Sequence, residues 1–258
     1  MTGLSTLFDL PRVLLFALLM ARAGGLVLAA PFLSGRLVPR MVKVLFVGAL
    51  ALVMLPASPA PAVPERMSSL VWMVGGEILL GLALGLVAQL FVVGFQAAGE
   101  IIGVQMGFGM ARILDPMSSQ ESTVMGRWLW LTAMTLFFTL GGVAVMIRAL
   151  ALSVQTLPPG LAAPGADVTA ALVAFTGDAF AVTLRVAAPA IGILLLTSVG
   201  LGLLARTVPQ MNVFIVGFPL KIAAGIVATA FTLPFLVDVA RRELGVLVER
   251  LALLAAGS

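Results

Sequence analysis

The chain has 258 residues, 61% of them hydrophobic and 10% charged, with a mean hydropathy of +1.18. A soluble domain carries about 25% charged residues, so this composition excludes an ordinary soluble fold and points to a membrane protein. The absence of cysteine and histidine rules out a disulfide scaffold, a Cys/His metal site and a histidine-based catalytic triad. The formal charge of +4 is carried by basic residues scattered singly, which suits anionic lipid headgroups rather than nucleic acid.

A helical span needs about 20 mainly apolar residues. Six hydrophobic segments can be drawn, at residues 4–33, 41–57, 68–99, 127–150, 180–205 and 212–237, followed by a tail at 238–258. They predict an all-α membrane protein with a single integral-membrane domain over residues 1–258. In the first segment, residues 13–20 resemble the apolar stretch of a signal peptide, and Ala21-Arg22-Ala23 has the small residues of a cleavage site. The only basic residue ahead of it is Arg12, preceded by Asp9, and apolar sequence resumes after Arg22, so a retained first helix is expected. A basic turn, Arg36 to Lys43, leads into the second segment, and Pro56, Pro59, Pro61 and Pro64 make an extended linker to the third.

The third segment carries the most information. Residues 78–99 are uncharged, yet they run straight into GEIIGVQMGFGMARILDP, residues 99–116. On a helix, Gln89, Gln96, Glu100, Gly103 and Gly107 fall within an arc of about 60°, with Gln105 nearby in sequence. This polar face has two readings: helix packing through interhelical hydrogen bonds, or the lining of a pore or subunit contact. Gly81/Gly85 and Gly103/Gly107 are small-xxx-small pairs that let helix backbones touch. Glu100 is costly in hydrocarbon and needs a partner, for which Arg112 and Arg127 are candidates. Met106, Phe108, Met110, Ile113 and Leu114 follow, and Asp115-Pro116 is a helix stop. Flexible methionines can seal an irregular opening, and an apolar constriction can gate by excluding water; packing against neighbouring helices is the alternative reading.

The fourth segment is followed by Leu157-Pro158-Pro159-Gly160 and a weakly polar stretch to Asp167. Pro189, Pro219 and Pro234 interrupt the last two segments, and the carbonyls they free need partners other than lipid. Between those segments Arg206, Pro209, Gln210, Asn212, Pro219 and Lys221 predict a tight connection. In the tail, Arg241, Arg242, Glu243, Glu249 and Arg250 alternate with Leu244, Leu247, Leu251 and Leu254, the spacing of an amphipathic helix on the membrane surface or against a partner. A six-span drawing puts seven basic residues on each side, Arg12, Arg66, Arg148, Arg185, Arg241, Arg242 and Arg250 against Arg36, Arg40, Lys43, Arg112, Arg127, Arg206 and Lys221. The positive-inside rule therefore gives no orientation: either the six-span drawing is wrong, or assembly imposes the orientation.

Three blocks in this order resemble the FliR/SctT family of type III export-gate membrane proteins. They are Ala30-Pro31 with the Arg36-x-x-Pro39-Arg40 turn, the Ala98-Gly99-Glu100-Ile101-Ile102-Gly103-x-Gln105-Met106-Gly107 core ending in Asp115-Pro116, and the Arg206-x-x-Pro209-Gln210-Met211-Asn212-x-Phe214-x-x-Gly217-Phe218-Pro219-x-Lys221 block. The resemblance runs from about residue 10 to about residue 240. The wording of residues 209–214 is closer to the flagellar than to the injectisome branch. One departure is Val143 after Gly141-Gly142, where the family often has histidine.

The resemblance implies a subunit of the bacterial inner membrane, within the flagellar basal body. It implies kinked helical hairpins, a FliP-like region followed by a FliQ-like hairpin, assembled with FliP and FliQ into a helical pore complex. Much of that complex sits above the plane expected from hydropathy, in keeping with the failed charge rule. A central loop, here residues 106–122, plugs the closed channel. FlhB is expected around the entrance, FlhA and the basal-body membrane ring outside it, and unfolded flagellar substrates in transit. The resemblance implies neither catalysis nor a cofactor. The competing readings are a small-molecule secondary transporter with a midplane site framed by Pro189 and Pro219, the equivalent injectisome subunit, and a membrane-embedded enzyme. For the last, Glu77, Glu100 and Asp115 are too dispersed in sequence to name a chemistry.

Overall fold

The computed structural model describes residues 9–33, 35, 38–109, 122–161, 166–208, 210 and 212–256. Among the described residues seven α-helices run in order: α1 Leu10–Ala29, α2 Arg40–Met54, α3 Met67–Met106, α4 Val124–Thr139, α5 Gly142–Thr156, α6 Ala166–Thr207 and α7 Val213–Ala256, with a 3-10 turn, Leu55–Ala57, after α2. There is no strand among the described residues. The all-α membrane fold expected from composition holds. Among the described residues five helices are long and apolar enough to cross a bilayer, and α4 with α5 pass the same test as a bent pair.

Local chemistry sets the helix ends. Pro11 stands in the first turn of α1, where its missing N–H costs nothing. Pro39 precedes α2. Thr123 caps α4 by accepting the Gly126 N–H at 3.0 Å. Gly141, at φ 81°, is left-handed and opens α5, so the segment drawn at residues 127–150 is broken in two. An uncharged run hides such a break because hydropathy does not register a backbone that only glycine adopts easily.

The last two helices also exceed the hydrophobic segments that predicted them. They have 42 and 44 residues, with Pro189 inside α6 and Pro219 and Pro234 inside α7. The tail at 238–258 is therefore not a separate surface helix: through Ala256 it continues α7. Charge ended the hydropathic segment but did not end the hydrogen-bond ladder.

The chain forms two compact units, Met1–Leu90 with Gly141–Thr176 and Leu244–Ser258, and Phe91–Leu140 with Gly177–Glu243. In the first, Leu15, Leu18, Leu19 and Leu26 of α1 are buried, as are Leu80, Leu84 and Val87 of α3 and Met146, Leu150 and Val154 of α5. Here α1 and α3 meet backbone to backbone. A Cβ on Gly25 would strike the Leu82 N–H at 2.9 Å, and one on Gly85 would strike the Ala29 Cβ at 2.7 Å. In the second unit Phe91 packs on Phe95 and Phe137 at centroid distances of 5.3 and 5.8 Å. Val182, Val186, Ala190 and Leu194 of α6 are buried there too, with Ala228, Leu236 and Ala240 of α7.

Candidate functional site

The second unit holds the start of the central block. Glu100 is half-buried near the end of α3. Its two carboxylate oxygens receive the main-chain N–H of Thr123 at 2.9 and 3.1 Å. The Thr123 hydroxyl donates to the Gly99 carbonyl at 3.4 Å while accepting from Gly126. In a capping box an acid three residues into the helix reaches back to the cap residue's N–H. In α4 that position is Gly126, and Glu100 of α3 takes the acid's place. A Cβ on Gly126 would run into the Glu100 carboxyl group, and one on Gly103 would meet the Thr123 side chain. Sequence reading proposed Arg112 and Arg127 as partners for Glu100. Arg112 lies outside the described residues, and the Arg127 guanidinium lies 4.6 Å over the Trp130 ring.

Of the residues expected to seal a channel, Met106 is fully buried as the last residue of α3. A Cβ on Gly225 of α7 would touch its Cγ and Sδ at 2.6 Å, so Met106 fills the notch left by that glycine. Its thioether packs against α7 within the chain. Phe108 is half-buried in the turn that follows and donates its N–H to the Gly103 carbonyl at 3.0 Å. Gly107 has left the helix at φ 98°, against the Phe218 ring, so it is not part of a helical small-xxx-small pair with Gly103. Met110, Ile113, Leu114, Asp115 and Pro116 lie outside the described residues.

On the predicted polar face, Gln89, Gln96 and Gln105 are half-buried and Gly103 is buried. The Gln89 Oε1 is buried with no hydrogen-bond partner among the described residues. Arg206 in the last turn of α6 and Gln210 and Asn212 in the connection to α7 are exposed, and Asn212 caps α7 by accepting the Ile215 N–H on Oδ1 at 3.4 Å. Pro219 is exposed and Lys221 half-buried in α7, while Pro209 lies outside the described residues.

Sequence reading missed the most heavily bonded polar group of the first unit. Arg22 and Glu77 are both fully buried and form an ion pair, Nε to Oε2, at 2.5 Å. The Arg22 Nη1 donates to the Ser153 carbonyl at 2.8 Å and to its hydroxyl at 3.3 Å, and Nη2 donates to the Leu157 carbonyl at 3.0 Å. The second carboxylate oxygen of Glu77 accepts the Gly160 N–H at 2.8 Å. Arg22 thus binds the Ser153 carbonyl, which also accepts the Leu157 N–H at 3.0 Å, and the Leu157 carbonyl just past the end of α5, where the helix dipole favours a cation. Glu77 holds the Pro158-Pro159-Gly160 turn, in which Gly160 is left-handed at φ 95°. The available signal was a lone cation and a lone anion, each inside an apolar run. Such charges face protein and pair with one another.

Comparison with known proteins agrees with this architecture. Residues 13–246 match the family described as "Bacterial export proteins, family 1". The chain is similar to the flagellar biosynthetic protein FliR of Escherichia coli K12, at 35% identity over 83% of this chain and 82% of that protein. It is similar to FliR of Bacillus subtilis 168, at 29% identity over 91% and 92%. It is also similar to the Yop proteins translocation protein T of Yersinia pestis, at 30% identity over 82% of each chain.

Proposed function

The chain belongs to the bacterial export proteins, family 1, and we propose that it is a structural and gating subunit of a type III export channel. In this reading it assembles with FliP and FliQ in the inner membrane of the flagellar basal body. FlhB surrounds the entrance, and FlhA and the membrane ring lie outside it. Unfolded flagellar substrates pass through the assembled pore, and the subunit contributes shape and a seal, not catalysis. The flagellar assignment rests on the FliR relatives, at up to 35% identity, and on the wording of residues 209–214; the Yersinia relative motivates the injectisome alternative.

The observation that carries the assembly reading is the coverage of the apolar helices. The most apolar window of α3 is 61% buried within the chain, but those of α2, α6 and α7 are only 17%, 28% and 33% buried. Phe231, Leu196 and Ile215 are 81%, 74% and 71% exposed. Lipid and partner subunits would cover this surface. We assign the seal to Phe108, Met110, Ile113 and Leu114, ended by Asp115-Pro116, with Met106 as its anchor. The polar residues Gln96, Glu100 and Gln105 serve packing at the base of that segment, and the chain between Thr207 and Val213 joins α6 to α7, with Arg206 in the last turn of α6 and Pro219 and Lys221 inside α7.

The test is the native mass of the tagged chain after gentle extraction from its own membrane. A large assembly containing two other small hydrophobic subunits is expected. A well-behaved monomer or dimer of this chain alone would overturn the gate reading and turn attention to a transporter.

A further inference from the structure

Three helices and two connectors of the first unit converge on one buried charge pair. Arg22 projects from α1, Glu77 from α3, and the receiving carbonyls of Ser153 and Leu157 stand at the end of α5. The Pro158-Pro159-Gly160 turn is held by Glu77. A Cβ on Gly160 would lie 3.3 Å from the Pro61 Cβ and 3.6 Å from a Leu18 methyl, so the proline linker before α3 packs at the same level. Sliding α5 past α1 would strip the guanidinium of its carbonyls. Pulling α1 away from α3 would isolate both charges, whose side chains are 0% exposed, and no water is at hand to replace the lost partner. The backbone contacts at Gly25, Gly81 and Gly85 leave no slack for a shift along either helix. The second unit is tied differently, among the described residues: Glu100 on the Thr123 N–H, a Thr183 hydroxyl on the Gly94 carbonyl, and an Arg185–Glu243 pair whose arginine is 63% exposed.

We propose that the Arg22–Glu77 pair locks α1, residues 67–90 of α3, and α5 into a static frame that keeps its packing while the channel opens and closes. The proposal rests on the gate reading above. Arg22 is a positioning residue here: it acts by fixing helix ends, and the frame bears none of the opening motion.

The chain has no cysteine, so introduced thiols are the only ones in the subunit. The first variant combines Pro61→Cys with Gly160→Cys, at a separation close to the roughly 3.5–4.5 Å between Cβ atoms of a disulfide; position 160 is left-handed and the new Cβ lies 2.6 Å from the Met73 Cε, so the reduced double variant is first compared with the unaltered chain for strain. Transport of a reporter substrate into inverted membrane vesicles is measured reduced, oxidised and reduced again. Transport by the bridged protein within about twofold of its reduced form supports the static frame. Transport that stops on oxidation and returns on reduction overturns it and leaves the gate reading intact. If the pair abolishes transport even when reduced, a single Ser153→Cys decides. A buried thiol at position 153 that stays unlabelled by maleimide during active transport supports the frame, and labelling only while substrate moves overturns it. Failure of the unaltered chain to restore transport to a strain lacking it would remove the gate reading, and the frame with it.

Discussion

The carboxylate of Glu100 receives the main-chain N–H of Thr123, 23 positions later in the chain, and so completes a helix cap that no residue of the capped helix supplies. This ties the end of α3 to the beginning of α4 at the point where the central block leaves and returns.

Glu100→Ala leaves the Thr123 N–H without that acceptor and is expected to cost about 1–3 kcal/mol. Glu100→Gln, which keeps a carbonyl oxygen, is expected to cost less. Thr123→Ala removes the other half of the cap, about 1 kcal/mol. Gly126→Ala should also destabilise, although alanine is the better helix former by about 1 kcal/mol, because its methyl group competes with the Glu100 carboxylate for space. Thermal midpoints of the detergent-solubilised protein check this series. A stabilised Gly126→Ala variant would show that the shared cap does not matter.

Arg22 and Glu77 are not equivalent. Breaking a buried ion pair costs about 3–5 kcal/mol, but the two halves leave different residues behind. In Glu77→Gln the guanidinium still faces the Ser153 and Leu157 carbonyls at the negative end of α5. In Arg22→Gln the carboxylate keeps the Gly160 N–H but loses its cation. Arg22→Gln is therefore expected to lower the amount of folded protein in the membrane more than Glu77→Gln. Equal losses would show that the carbonyls contribute nothing.

Met106 and Gly225 form a knob and a notch. Met106→Ala opens a cavity costing about 2–5 kcal/mol, and Gly225→Leu overpacks the same space by about 1–3 kcal/mol. Combined, the two should cost less than the sum of their separate effects, and a double-mutant cycle on thermal stability measures the difference. Strict additivity would mean that the two positions do not share one space.

Replacing Phe108, Met110, Ile113 and Leu114 together with alanine is expected to raise the ion conductance of the closed, correctly assembled complex in planar bilayers, because an apolar constriction excludes water only while it stays narrow. Conductance at the unaltered level would place the seal elsewhere.

The fold class was legible because hydropathy over about 20 residues reports spans directly. Glu100 was conspicuous for a related reason: a carboxylate among glycines and methionines stands out. Its hydrogen bond to the Thr123 N–H was not, because a capping signal is normally sought three residues along the same helix, and here the acid comes from another one. Arg22 and Glu77 lie 55 positions apart, and the Ala21-Arg22-Ala23 pattern drew attention to cleavage instead of pairing. The carbonyls of Ser153 and Leu157 that receive Arg22 belong to the main chain, which every residue shares, so no side-chain pattern marks them. The break at Gly141 and the continuation of α7 past residue 237 were hidden for opposite reasons. One is a backbone change without a polarity change, and the other a polarity change without a backbone change.

Gly24 and Gly25 are neighbours on α1. Nothing lies within 4 Å of a methyl group added to Gly24, whereas one added to Gly25 would collide with the main chain of α3. Two identical letters side by side therefore have opposite evolutionary freedom. Drift can replace the first with an apolar helix former such as alanine or leucine and gain in helix propensity, while the second is frozen by the backbone of another helix, whose own residues are in turn frozen by it. Variation among descendants of this sequence should trace the α1–α3 contact as a line of unchanging glycines beside freely changing neighbours.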